Sequence, residues 1–173
     1  MHHHGYVWTG PKARFDEEAL RRPPYQEPPP AGSHPELARR YREVAAGFAD
    51  CDLPPLETAD WLLKPRSLVR GTWSAPGDAA LWLRERLAEF GSRFASAADR
   101  EPHRLEAVAR AAEARLRWGG DVSLGHYLER PAFLSLALVA CPRGPGARHR
   151  PCPLASGPPP DDPGRGPEPG PGG

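Results

Sequence analysis

Apolar positions along the chain fall into two textures, with an abrupt change near residue 141. Between His34 and Cys141 they recur at regular spacings. In HPELARRYREVAAGFADCD, Leu37, Tyr41, Val44 and Phe48 are four, three and four residues apart, which is one face of a helix. Ser33 can cap that helix, and Pro35 suits its first turn, where a missing N–H costs nothing. Pro54-Pro55 prevents its continuation, and LETADWLLKP (56–65) follows as one or two short helical turns ending before Pro65.

The next segments predict a mixed fold. RSLVRGTWS (66–74) reads as a strand, because Val69, Thr72 and Trp73 suit extended backbone and Gly71 disfavours helix. The clearest helix spans 76–97, with Ala80, Leu83, Leu87, Phe90 and Phe94 as its stripe and Ser74 as the candidate cap. A further helix over 101–117 carries Leu105, Val108, Ala112 and Leu116; Asp99 is its candidate cap and Gly119-Gly120 ends it. Glu89–Arg93, Glu106–Arg110 and Glu113–Arg117 are acid-before-base pairs four residues apart, the order that supports a solvated helix face.

DVSLGHYLE (121–129) alternates, with Val122, Leu124, His126 and Leu128 on one side of a strand. AFLSLALVAC (132–141) is the most apolar run of the chain. As a helix its ten residues would cover about 15 Å, half of a bilayer core of roughly 30 Å, so it belongs to a core and not to a membrane. Leu and Ala favour helix there, whereas the preceding alternation and the need to pair 67–73 favour strand. The predicted fold class is therefore α+β: a small antiparallel sheet of about three strands (67–73, 121–129, 132–141) covered on one face by helices 36–50, 76–97 and 101–117. The alternative is an all-α bundle.

Outside these limits the texture is different. Residues 1–33 read as a Pro-rich N-terminal arm, with two helical turns in RFDEEALRR (14–22), Asp16 capping them, and extended backbone through RPPYQEPPPAG. Tyr6, Val7, Trp8, Phe15 and Leu20 suggest that the arm packs on the domain surface. Residues 142–173 hold almost no apolar set and read as a disordered Pro/Gly-rich tail without the collagen period. Residues 34–141 are then the single globular domain. Deleting the last thirty-odd residues is expected to leave melting unchanged.

Composition narrows the function classes. Of 173 residues, 23 are Lys or Arg and 22 Asp or Glu, and residues 34–141 are themselves balanced. A nucleic-acid or anionic-membrane partner, each of which needs a local positive excess, is not expected. Only Lys12 and Lys64 are lysines, and the Arg, Ala, Gly and Pro bias reflects a GC-rich genome rather than chemistry. Cys51, Cys141 and Cys152 are too few and too odd for a disulfide-stapled secreted domain. MHHHGYVWTG lacks the apolar stretch of a signal peptide, so the expected location is the cytoplasm. Its three histidines read as a partial tag or as native sequence and are assigned no site.

No glycine-rich phosphate loop, HExxH, CxxC or GxSxG is present. Cys141, His149 and Cys152 suggest zinc, but only His149 and Cys152 are close in sequence and a fourth ligand is missing, so no metal and no cofactor is assigned. The candidate ligand-binding residues are Arg66, Arg70, Trp73, His126 and Tyr127. Cations beside the indoles of Trp61 and Trp73 can stack on a planar or anionic ligand, and His126 is a candidate general base. The readings that compete are core tryptophans, solvated arginines and a core histidine. The functional expectation is a small binding or accessory protein acting through protein contact or self-association. Its alternative is a small-molecule-binding domain or enzyme with a pocket near Arg70, Trp73 and His126.

Overall fold

In the computed structural model, residues 1–25, 27–142 and 150–155 are described. The chain begins with strand β1 (His2–Pro11) and continues through two single-turn helices, α1 (Lys12–Phe15) and α2 (Glu18–Arg21), to α3 (Pro35–Asp50). Two 3-10 turns, Thr58–Leu63 and Arg66–Leu68, lead to the short strand β2 (Gly71–Trp73). Helices α4 (Pro76–Phe90) and α5 (Pro102–Arg117) follow, then β3 (Val122–Tyr127) and β4 (Ala132–Cys141). The fold class is α+β. The sheet has four antiparallel strands in the order β2-β1-β4-β3, not three.

The additional strand is β1. Residues 2–11, expected in a surface arm, pair along their whole length with β4, from His2 opposite Cys141 to Pro11 opposite Ala132. Alternation explains why both sides of β1 are committed. His2, His4, Tyr6 and Trp8 share a face with Cys141, Val139, Ala137 and Phe133, and His3, Gly5 and Val7 share the other with Leu138 and Leu136. Tyr, Val, Trp and Thr suit such a doubly covered strand. Gly5 is needed for close approach: a Cβ there would lie 2.9 Å from the rings of Trp73 and Trp82.

The two faces have different covers. On one, α4 and α5 set Leu83, Leu87, Ala112 and Leu116 against Leu134, Leu136 and Leu138, all buried in one apolar cluster with Phe94 and Leu128. On the other, the Thr58–Leu63 turn and the segments around α1 and α3 supply Trp61, Leu62 and Leu53, packed against Tyr6, Trp8, Phe133, Ala137 and Val139. The expected single-sided cover is thus corrected.

Several local expectations meet the structure only in part. Each of α3, α4 and α5 has proline in its first turn, as the sequence implies, but the N-caps are His34, Ala75 and Glu101 rather than Ser33, Ser74 and Asp99. The strand expected over 67–73 shrinks to Gly71–Trp73, because Leu68 and Val69 donate their amides to Pro65 and Arg66 and close a tight turn instead. In α3 only Phe48 is buried, while Leu37 and Val44 remain exposed. Asp16 closes α1 at its C-terminus instead of capping a helix start. Among the described residues, no helix is long and apolar enough to cross a membrane.

The expected disordered tail also needs correction where it is described. Arg150 is buried, and its guanidinium donates two hydrogen bonds to Asp60 Oδ1 at 2.8 and 2.6 Å. Cys152 packs beside the cluster of Tyr6, Trp61 and Cys141. Residues 143–149 and 156–173 lie outside the described residues.

Candidate functional site: an open strand edge and a histidine–cysteine cluster

The sequence-derived site residues do not converge. Arg66 is exposed on the 3-10 turn, and Arg70 is exposed immediately before β2. Trp73, half-buried on β2, packs against Trp82 of α4 with ring centroids 5.1 Å apart. His126 and Tyr127 are on β3, at the opposite edge of the sheet from β2. His126 turns toward the helices, stacks on Phe94 at 4.6 Å and lies 3.6 Å from Asp99. Tyr127 is on the other face, where its ring meets Phe133 edge-on at 5.2 Å. Lys64, which the sequence sets between two indoles, is buried and donates to the carbonyls of Phe48 and Cys51 at 2.6 and 2.7 Å. It holds the end of α3, and burial lowers its pKa.

Arg70 instead borders a cleft of about 480 Å³, together with Trp8, Trp61, Trp82, Arg86 and Phe90. Val7 and Thr9 of β1 line it as well. The cleft exists because β2 is short: it pairs only with His3–Gly5, so the edge of β1 beyond Gly5 has no strand beside it among the described residues. The direction of the free groups follows from two hydrogen bonds. Gly5 O accepts from Arg70 N on the β2 side, and Lys12 N donates to Pro131 O on the β4 side. Alternation from these anchors turns the N–H and C=O groups of Val7 and Thr9 outward into the cleft. Side chains of the two faces form its walls, Trp82, Arg86 and Phe90 from α4, and Trp61 and Trp8 from the other face. Arg86 pairs with Glu89 at 2.7 Å and Asp52 with Arg14 at 2.7 Å, whereas Arg70 has no salt bridge among the described residues.

A second group lies at the other end of β1. The side chains of His2, His4, Cys141 and Cys152 bring one nitrogen or sulfur each to within 4.8 Å of one another. His2 and His4 are two residues apart on one strand face, and the register puts Cys141 directly opposite His2. Cys152 returns from beyond β4, with Sγ 3.5 Å from Nε2 of both histidines. The two Nε2 atoms are 3.1 Å apart, and His4 Nδ1 hydrogen-bonds Thr72 Oγ1 of β2 at 2.8 Å. Burial, with His2 and His3 nearby, lowers the His4 pKa to about 4. Burial and the hydrogen bond with Cys152 raise the Cys141 thiol to about 11.

Sequence reasoning paired Cys141 and Cys152 with His149, which lies outside the described residues, and set aside the histidines that the fold brings to them. The available signal was the His-x-His spacing, which puts two imidazoles on one face once residues 2–8 are read as a strand. No protein-family model, curated protein or solved structure matches the chain.

Proposed function

We propose that the protein is a binding module that takes an extended segment of a partner protein as an added strand along the open edge of β1. The observation that carries this reading is the run at Val7–Thr9, unpaired on this edge among the described residues, whose outward N–H and C=O groups face a cleft. Strand addition uses such groups for affinity and alternate side-chain pockets for specificity. Here a strand laid along the edge would direct alternate side chains toward Trp82 and Phe90 on one side and toward Trp8 and Trp61 on the other. Arg70 favours an acidic residue where the segment passes β2. The proposal assigns the protein to the cytoplasm, with neither a nucleic-acid nor a membrane partner. The near-neutral charge and three unbridged cysteines support that assignment.

The test is selection of decapeptides from a displayed random library against the full chain, followed by affinity and amide-exchange measurements. Selected peptides should slow exchange at Val7 and Thr9. Thr9→Pro deletes one outward donor without touching the β4 ladder, and should weaken binding at least tenfold. Unchanged affinity in Thr9→Pro, or no added protection at these amides, would overturn the reading. Self-association of the purified chain that Thr9→Pro abolishes would make a second copy the added strand.

Three indoles and two guanidiniums around one cleft support a second reading, a small aromatic anion as ligand. A thermal shift by such a compound, lost in Arg70→Ala together with Arg86→Ala but kept in Thr9→Pro, would favour it over strand addition.

A further inference from the structure

The cluster of His2, His4, Cys141 and Cys152 takes no part in the cleft and has its own chemistry. Two imidazoles and two thiols match the donor set of a structural zinc site, in which four protein ligands surround the metal tetrahedrally. Zinc–nitrogen bonds near 2.0–2.1 Å and zinc–sulfur bonds near 2.3 Å imply tetrahedral edges of about 3.3 Å between nitrogens and about 3.6 Å between nitrogen and sulfur. The observed separations are 3.1 Å for the two Nε2 atoms and 3.5 Å for Cys152 Sγ to each of them. These three donors already stand close to where a tetrahedral ion would hold them, and the Cys141 donor lies within 4.8 Å of each.

Two independent features point to a metal. The His4 Nδ1–Thr72 Oγ1 hydrogen bond fixes the ring and leaves Nε2 for coordination, the outer support that ligating histidines regularly have. The Tyr6 hydroxyl is fully buried without a hydrogen-bond partner among the described residues, and Tyr6 packs in the same cluster as Cys141 and Cys152. Thiolates held by a cation would present the acceptor that this hydroxyl lacks.

We propose that His2, His4, Cys141 and Cys152 bind one zinc ion as a closed, four-ligand centre that clasps the segment around Cys152 to the first and last strands of the sheet. Four protein donors leave no position for substrate, so the centre stabilises and does not catalyse. Cys141 and Cys152 give up their thiol protons to solvent as the thiolates bind, and no redox change is involved. The ligands come from both ends of the described chain, so the ion closes the fold at its most separated points.

The experiment uses the full chain with residues 1–4 unaltered, carrying a C-terminal affinity tag without histidine and never exposed to an immobilised-metal column. Elemental analysis after zinc addition and desalting should give one zinc per chain. Replacement by Co(II) should give the visible bands of a tetrahedral ion together with thiolate-to-metal charge transfer. Cys152→Ser and His4→Gln should lose the stoichiometric metal and the charge-transfer band, whereas Cys51→Ser, outside the cluster, should keep both. Circular dichroism establishes that each variant is folded. Should Cys152→Ser fold poorly, wild-type protein still decides: chelator must lower its Tm, and added zinc must restore it. Zinc below a tenth of an equivalent, a Co(II) spectrum without thiolate charge transfer, or undiminished binding in folded Cys152→Ser would overturn the proposal. Octahedral Co(II) bound only through the N-terminal histidines would do so as well.

Discussion

Leu87 on one face of the sheet and Lys64 on the other are both buried, yet they are buried for different reasons. Leu87 belongs to a continuous apolar layer in which α4 and α5 meet the leucines of β4. Its burial needs no partner, because the hydrophobic effect scales with area and ignores direction. Lys64 lies in a face covered by a 3-10 turn and short irregular segments, and its Nζ satisfies two carbonyls at the end of α3. The same face holds the Asp60–Arg150 pair and the histidine–cysteine cluster. One side is held by one continuous apolar layer, and the other by smaller apolar clusters together with directional contacts at a few points.

This difference decides what a single substitution should cost. The largest effect is expected at the polar fastening. Arg150→Ala, or truncation after Pro142, leaves the carboxylate of Asp60 buried without Arg150, and breaking such a pair costs about 3–5 kcal/mol. Replacing both partners, Asp60→Leu with Arg150→Leu, should recover most of the loss, since two apolar groups need no partner. Chemical denaturation measures both. A loss below about 1 kcal/mol in Arg150→Ala would break the comparison, because the directional contact would then be dispensable. The expectation that the tail can be deleted without consequence is replaced by this one, on the ground that Arg150 and Cys152 are docked.

Next in size is Leu87→Ala. Leu87 is fully buried against helices and sheet, and removing three heavy atoms from such a layer costs about 2–5 kcal/mol through lost transfer energy and the remaining cavity. Leu81→Ala on the exposed side of the same helix should stay within about 0.5 kcal/mol. Chelator should not change the difference between these two variants, because neither is on the face that carries the cluster. A chelator-dependent difference would show that the two faces are not separable.

Lys64→Met sharpens the contrast. Methionine keeps the length of the side chain and its packing on Phe48, but abandons the carbonyls of Phe48 and Cys51. The loss should be about 1–3 kcal/mol, the desolvation cost of buried acceptors left unmade. It should be accompanied by faster amide exchange in the last turn of α3, and unchanged exchange there would mean that Phe48 packing alone holds the helix end.

Legibility in the sequence follows the same division. The helical face was readable in α4 and α5, whose spacing sets Leu83, Leu87 and Leu116 inward, although α4 ends at Phe90 rather than at 97 and leaves Phe94 beyond it. The apolar run Ala132–Cys141 was located by composition, and its strand form by the alternation of the segment before it. The opposite face was not readable, because its contacts join residues far apart. Cys152 meets His2 and His4 across 150 and 148 positions, and Arg150 meets Asp60 across 90. Arg70, singled out as a candidate ligand-binding cation, borders the cleft, but its place beside β1 depends on β2 beginning only at Gly71, which no local pattern reports. His126 fell on the apolar side of its strand as alternation requires, yet strand order, which spacing does not encode, put it at the far edge.

The smallest expected effect concerns the solvent side of α5. Glu113 and Arg117 were legible as a pair from spacing alone, and the structure joins them at 2.5 Å. Arg117 is two-thirds exposed, so water and salt screen the attraction and ordering two long side chains opposes it. Arg117→Ala should therefore cost about 0.3–0.5 kcal/mol at low salt, and nothing measurable at high salt. The comparison with Asp60–Arg150 is direct, since both are Arg–carboxylate pairs at hydrogen-bond distance and differ chiefly in burial. Their energies should differ by about a factor of ten, with only the exposed pair responding to salt. Equal costs at the two sites would show that distance rather than desolvation governs these pairs, and the division of the molecule into an apolar face and a fastened face would lose its physical basis.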